Sequence, residues 1–251
     1  MKALITGASS GLGRDMARVL SAMGYDLILT ARRGDRLELL KAELPTSVRV
    51  ISLDLCSQDN CVLLYEMVRD EPINVLINNA GMGTFGPFWQ TDLHKELRLL
   101  DLNVLAQHVL FKMFLRDFVA HDSGYILNVA SSAAFSPGPF MASYYASKSY
   151  ILNLTMAVRE ELKLNDHHVC VSALCPGPMA TEFDQKAGIR FTSPYQSSIR
   201  VAKIAIRKMF DRQLLIIPGP LMKMNRLIAR IAPDGLVLKM ASRLQRHRNN
   251  F

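Results

Sequence analysis

Short apolar runs of strand length alternate with amphipathic helical patterns from the N-terminus to about residue 217, and this alternation constrains the chain more than any other feature. The runs are Lys2–Thr6, Asp26–Thr30, Val48–Leu53, Asn74–Ile77, Gly124–Val129, Val169–Leu174 and Leu214–Ile217. Between them, Leu12, Met16, Val19 and Leu20 recur at helical spacing, as do Leu37, Leu40 and Leu44, where Pro45 ends the pattern. A strand followed by a helix returns parallel to its predecessor, because the crossover is too long for a hairpin. The expectation is an α/β, doubly wound fold with a seven-stranded parallel sheet and helices on both faces. No linker rich in Gly, Ser or Pro and no internal repeat divides it. Residues 1–220 are expected to form one domain. After Pro218-Gly219-Pro220, residues 221–251 read as a short basic amphipathic helical appendage, with Leu221, Met224, Leu227, Ile228 and Ile231 on one face, and not as an independent domain.

Composition narrows the class. The chain has 251 residues, 49% of them hydrophobic, enough to fill a sizeable core. Its formal net charge is +8, but Lys223, Arg226, Arg230, Lys239, Arg243, Arg246 and Arg248 stand against Asp234 alone between Leu221 and Phe251, so the tail carries six of those charges. A nearly balanced body does not present the basic face of a nucleic-acid binder, and no nucleic-acid partner is expected. Cys56 and Cys61, like Cys170 and Cys175, are spaced neither as a metal clip nor as a disulfide scaffold, which suits a reduced compartment. The first apolar run ends at Thr6-Gly7, far short of a signal sequence, and no stretch stays apolar over the ~18 residues of a membrane span. A cytoplasmic protein is expected. His167-His168 lacks acids or cysteines at ligand spacing, so no metal site is expected.

Two turns point to a nucleotide. The first strand runs into Thr6-Gly7-Ala8-Ser9-Ser10-Gly11-Leu12-Gly13, a glycine-rich turn that opens a helix. Such a turn lets backbone approach a pyrophosphate and aims free N–H groups at it, although glycine-rich turns without ligands also occur. The second strand ends at Ala31-Arg32-Arg33, without the acid that would hold a ribose 2′-hydroxyl. An arginine there can hold a 2′-phosphate, which favours NADP(H) over NAD; the plain alternative is a pair of solvated loop charges.

From residue 2 to 217 the chain resembles the short-chain dehydrogenase/reductase family, a Rossmann fold, in several separated motifs that agree in order and spacing. Thr6-Gly7-x-x-x-Gly11-x-Gly13 is similar to the family's nucleotide turn, and the resemblance implies cofactor contacts for Gly7, Ser9, Ser10, Gly11, Leu12 and Gly13. Asp54-Leu55 resembles its adenine-side acid. Asn79, Ala80 and Gly81, in Asn78-Asn79-Ala80-Gly81, resemble the segment that flanks the adenosine. Pro176-Gly177-x-x-x-Thr181, which includes Met179, resembles the nicotinamide-side loop. Asn103 sits where the family has a helix asparagine that holds a water. Ser131 lies 13 positions before Tyr144, and Tyr144-x-x-x-Lys148 resembles the active-site pair. The resemblance implies an NADP(H)-dependent oxidoreductase acting on a carbonyl or secondary alcohol, with Asn103, Ser131, Tyr144 and Lys148 catalytic and Tyr144 and Lys148 also against the cofactor. It further implies a homodimer or homotetramer.

The chemistry is intelligible from the residues. Four positions apart on a helix, Tyr144 and Lys148 share a face, and a lysine cation near a phenol favours phenolate. In reduction Tyr144 would give its proton to the substrate oxygen, Ser131 would hydrogen-bond that oxygen, and Lys148 would hold the nicotinamide ribose. Asn103 would position a water linking Lys148 to solvent. Tyr145 is only three residues from Lys148 and twists off the shared face. Taken singly, each residue also fits a plain role: a surface pair, a strand-end hydroxyl, a buried amide. Substrate loops are expected at 82–89, 133–141 and 179–199, where Phe85, Phe88, Trp89, Phe135, Phe140, Met141, Met179 and Phe183 suggest an apolar mouth for a lipophilic ketone, aldehyde or alcohol, or else core or interface packing. The tail could meet an anionic membrane, bind an anionic acyl carrier or coenzyme A thioester, cover the cleft, or simply pack on its own domain or partner subunit. A 3-oxoacyl thioester reductase and a non-catalytic NADP(H)-binding regulator remain as alternatives.

Overall fold

In a computed structural model, which describes residues 1–188 and 195–249, the expected runs form strands β1 (Lys2–Thr6), β2 (Asp26–Ala31), β3 (Val48–Ser52), β4 (Ile73–Asn78), β5 (Tyr125–Val129), β6 (Cys170–Leu174) and β7 (Leu215–Ile216). All pair in parallel, in the order β3-β2-β1-β4-β5-β6-β7. The order reverses between β1 and β4, so the loops leaving those strands diverge and open a crevice at the C-terminal edge of the sheet.

Both faces of the sheet are covered, which is why the central strands read as continuous apolar runs and do not alternate. Side chains still alternate between two cores. Ile5, Leu27 and Leu29 pack with Met16 and Leu20 of α1 (Gly11–Ala22), Leu37 of α2 (Gly34–Glu43) and Val201 and Ile206 of α8 (Ser198–Phe210). Leu4, Ile28 and Leu76 face the other way, toward Leu64 of α3 (Gln58–Val68) and Leu110 and Phe114 of α5 (Gln107–Ala120).

Two features of the frame bear on the crevice. Helix α4 (Leu93–Leu100) continues into α5 through a π-helical turn, Asp101–Ala106, which carries Asn103. Helix α6 (Ala142–Leu164) runs beside it and carries Tyr144, Ser147 and Lys148. A buried chain of hydrogen bonds ties strands to helices: Asn78 donates to the Gln107 carbonyl and to Asn128, and Asn128 donates to Thr155.

Beyond β6, the short helix α7 (Glu182–Ala187) precedes α8. β7 is only two residues long, and Pro218, one residue beyond Ile217, cannot extend the ladder. Pro220 then starts α9 (Pro220–Ile231), Pro233 separates it from α10 (Asp234–Asn249), and no helix among the described residues is long and apolar enough to cross a membrane.

Candidate active site

A cavity of about 720 Å³ occupies the crevice and extends from Arg32, Arg33 and Asp54 at one end to Tyr144, Tyr145 and Lys148 at the other. Its floor is the glycine turn. Gly7 has a φ of +68°, which L side chains rarely adopt, and a Cβ on Gly13 would lie 2.5 Å from the Gly7 carbonyl oxygen. The turn therefore closes on itself and brings bare backbone and the start of α1 to the cavity wall. Thr6 locks it to the opposite lip, its hydroxyl oxygen accepting from the backbone amides of Asn79 and Ala80 at 2.9 Å each, while the Asn79 side-chain NH₂ donates to the Thr6 carbonyl at 2.9 Å.

At the far end the two arginines separate. Arg33 donates to the hydroxyls of Ser9 and Ser10 at 3.1 and 2.9 Å and to the Glu182 carboxylate at 2.8 Å. Arg36 also binds Glu182. Arg32 is more exposed and reaches Asp54 only at 3.9 Å. Burial acts to raise the Asp54 pKa, but the Cys56 amide and Arg98 outweigh it and hold the carboxyl below its ordinary value.

At the other end Tyr144 and Lys148 are both buried, with the Lys148 ammonium 5.9 Å from the centre of the Tyr144 ring and donating to the Val129 carbonyl at 2.9 Å. Ser131, two residues past the end of β5, lines the cavity beside Tyr144 and accepts from the Ala133 amide at 3.1 Å. Burial pushes the phenol's pKa well up, against the opposing influence of the nearby Ser131 hydroxyl. Burial also pushes the Lys148 ammonium down, to about 8. Burial thus opposes the draw of the lysine cation on the phenol, because it disfavours the charged form of each group; at about 8 the lysine still keeps its charge at neutral pH.

Every residue expected at the site lines this cavity except Asn103. Asn103 is fully buried behind it; its carbonyl oxygen accepts from the Met82 amide, and its NH₂ donates to the Met82 carbonyl and to Ser147. Through these bonds Asn103 fixes the loop that carries Gly81 beside Lys148.

The family model for short chain dehydrogenases matches residues 1–190. The chain belongs to this family. A short-chain dehydrogenase from Sphingobium yanoikuyae, solved in complex with NADPH, is similar at 31% identity and a TM-score of 0.83, the match covering 96% of this chain and 94% of that one. The bulky-bulky ketone specific alcohol dehydrogenase of Comamonas testosteroni is similar at 29% identity and a TM-score of 0.79, covering 94% and 93%. A very-long-chain 3-oxoacyl-CoA reductase of Neurospora crassa is 31% identical over 189 residues, which are 71% of this chain and 57% of that one. The chain thus spans little more than half the length of that reductase.

The cavity also takes in residues that the sequence analysis did not single out as site residues. Glu182 and Asp184 of α7 line it, and so do Leu221, Met222, Asn225 and Ile228 of α9 and Val237 and Met240 of α10. The tail is a wall of the cleft, with Met222 seated directly on Gly177. Tyr145 lines the cavity too, although it lies off the face shared by Tyr144 and Lys148. Of the loop residues expected at an apolar mouth, only Met141, Met179 and Phe183 line it. Phe85 stacks on Phe140, Phe135 packs beside a core cluster, and Phe88 and Trp89 lie on the surface. Within the third loop, 189–194 lie outside the described residues. Cys175 is wholly buried and does not line the cavity, and burial pushes its thiol up to about 12. The His167-His168 pair is tied to Asp122, His168 at 2.6 Å.

Proposed function

We propose that this oxidoreductase transfers hydride between NADP(H) and a lipophilic carbonyl or secondary alcohol, with residues 1–220 as one cofactor-binding and catalytic unit and 221–251 appended to it. The observation that carries the reading is the buried Tyr144–Lys148 pair with Ser131 beside it, at one end of a cavity whose floor is the Gly7–Gly13 turn. The bare backbone of that turn suits a pyrophosphate, which a Cβ at Gly13 would exclude by breaking the turn. Arg33 supports the phosphorylated dinucleotide: Ser9 and Ser10 orient its guanidinium at the cavity's edge, and no acid stands at the end of β2 to receive a 2′-hydroxyl. We assign the principal 2′-phosphate contact to Arg33, with Arg32, Asp54 and Leu55 beside the adenosine.

A bound nicotinamide supplies or accepts the hydride. The chain's own residues handle the proton. Because burial holds Tyr144 as a neutral phenol, it is a proton donor at neutral pH, suited to reduction; its proton passes to the oxygen that the hydride leaves electron-rich. Ser131 donates to the same oxygen as charge develops there. Lys148 holds the ribose hydroxyls and keeps a positive charge near the phenol, and Asn103 fixes the Met82 loop against it.

The apolar walls from α9 and α10 support a lipophilic substrate, as does the likeness to the Comamonas testosteroni enzyme, named for bulky-bulky ketones. A 3-oxoacyl thioester is the second reading, favoured by the cationic side chains of the tail and by the name of the Neurospora crassa relative. Exposed Leu97, Leu100, Leu105 and Tyr150, on the helices around Asn103 and on α6, support a homodimer or homotetramer through that face, and four free thiols support a reducing, cytoplasmic setting. The test is turnover of a panel of bulky ketones and 3-oxoacyl thioesters with NADPH or NADH. Reduction with NADPH that vanishes in Tyr144→Phe is expected; turnover that survives that change refutes the assignment.

A further inference from the structure

We infer that α9 and α10 seat the molecule on an anionic lipid bilayer, with the mouth of the cavity opening toward the lipid. Helix α9 is built of three stripes. Met222, Asn225 and Ala229 face inward and line the cavity. Lys223, Arg226 and Arg230 form a cationic stripe beside them, and no carboxylate pairs with these three among the described residues. Leu221, Met224, Ile228 and Ile231 form the third, between 43% and 74% exposed, with Leu227 at its border. Across from it, α10 exposes Leu236, Leu238 and Met240 and carries Lys239 and Arg243. Large apolar side chains left in water beside unpaired cations form the pattern of a helix lying in a membrane interface, its apolar stripe below the headgroups and its cations among them.

Two observations choose the bilayer over a second copy of the chain. A symmetric contact through this face would set each cationic stripe against its own image, with Asp234 the sole acid described in the two helices. The cavity also opens onto this face: Leu221, Ile228 and Met240 line it and are themselves about half exposed. A protein seated there would cover the mouth, whereas a bilayer would supply it with lipid-dissolved molecules. The orientation of the mouth rests on reading the cavity as the substrate site; the lipid contact does not.

The test uses the full chain, sedimented with vesicles of phosphatidylcholine alone or mixed with phosphatidylserine, at low and high salt, with NADPH affinity measured on the same samples. Two double variants avoid the cavity-lining residues: Leu227→Asp with Ile231→Asp, and Lys223→Gln with Arg230→Gln. Binding to the anionic vesicles only, weakened by salt and reduced on the order of tenfold or more by either pair, is expected. Equal binding to neutral vesicles, or no binding by the native chain, overturns the proposal. So does a fall in oligomer size on light scattering with the aspartate pair, which would assign the face to a second copy. Loss of NADPH affinity in the native chain would refute the cofactor assignment and leave the lipid result standing.

Discussion

Replacing Arg33 with alanine is expected to weaken NADPH binding by roughly ten- to thirtyfold while leaving NADH binding within about twofold. The magnitude follows from the surroundings of the guanidinium. A charge-assisted hydrogen bond to phosphate contributes about 1.5–3 kcal/mol. Arg33 is 30% exposed, so solvent screens part of that, and its Nη1 already donates to Glu182, with which a 2′-phosphate must compete. Both effects favour the lower half of the range, about 1.5–2 kcal/mol. Arg32 is 57% exposed and holds Asp54 only loosely, so Arg32→Ala should cost about threefold. Removing the competitor gives the opposite sign: Glu182→Gln should tighten NADPH a few-fold and leave NADH unchanged. Fluorescence titration of both dinucleotides against the three variants reads all of this. Equal losses for NADPH and NADH in Arg33→Ala would refute the reasoning, because the arginine would then be supporting the turn and not recognising the phosphate. A larger loss in Arg32→Ala would move the contact to its neighbour, and weaker NADPH binding in Glu182→Gln would mean that the Arg33–Glu182 pair closes over the cofactor instead of competing with it.

The other outcomes concern the buried end. Tyr144→Phe should lower turnover by on the order of 10³-fold with NADPH affinity kept, measured by steady-state rates beside fluorescence titration; Ser131→Ala should cost about a hundredfold in the same assay. NADPH affinity should fall as pH rises through about 8, because below it the Lys148 ammonium is charged and above it the charge is lost; a flat profile from neutral to alkaline pH, together with an unchanged profile in Lys148→Met, would exclude that group. Asn103→Ala should lower the melting temperature, since the Met82 amide and carbonyl and the Ser147 hydroxyl each lose a buried partner at ~1 kcal/mol or more apiece; an unshifted melt would show that water replaces the amide.

What the sequence made legible is what depends on neighbours along the chain. Ala3-Leu4-Ile5 is apolar on both faces because both faces are covered, and the run alone announces a central parallel strand. The glycine turn is readable because Gly7 and Gly13 are required by local geometry. Residues brought in from a distance were not readable. Glu182 meets Arg33 across 149 positions of sequence, and nothing in Thr181-Glu182-Phe183 marks an acid that faces a cofactor pocket. The apolar stripes of α9 read equally well as core packing, a membrane face or a lid; only the seating of Met222 on Gly177 shows that one side of the helix walls the cleft. The π-helical turn at Asn103 is hidden as well, because Asp101–Ala106 has the composition of ordinary helix.

The pKa directions at Tyr144 and Lys148 show what a sequence argument of this kind leaves out. Spacing establishes that the two side chains share a helix face, and a cation beside a phenol then implies a lowered phenol pKa. Whether it is lowered depends on how much water remains, which spacing does not contain. Here the same burial acts on both partners: it drives the ammonium down to about 8 from an ordinary 10.5, a difference of about 3 kcal/mol against holding the charge, and it raises the phenol at the same time. Below pH 8 the buried ammonium therefore weakens the fold; between about 8 and 10.5 the unfolded chain binds the extra proton and stability rises with pH. The hydrogen bond to the Val129 carbonyl offsets only part of that cost. Lys148→Met should accordingly raise the melting temperature of the cofactor-free protein at neutral pH even as it removes turnover, whereas a fall of several degrees would mean that the ammonium is better solvated than its burial implies.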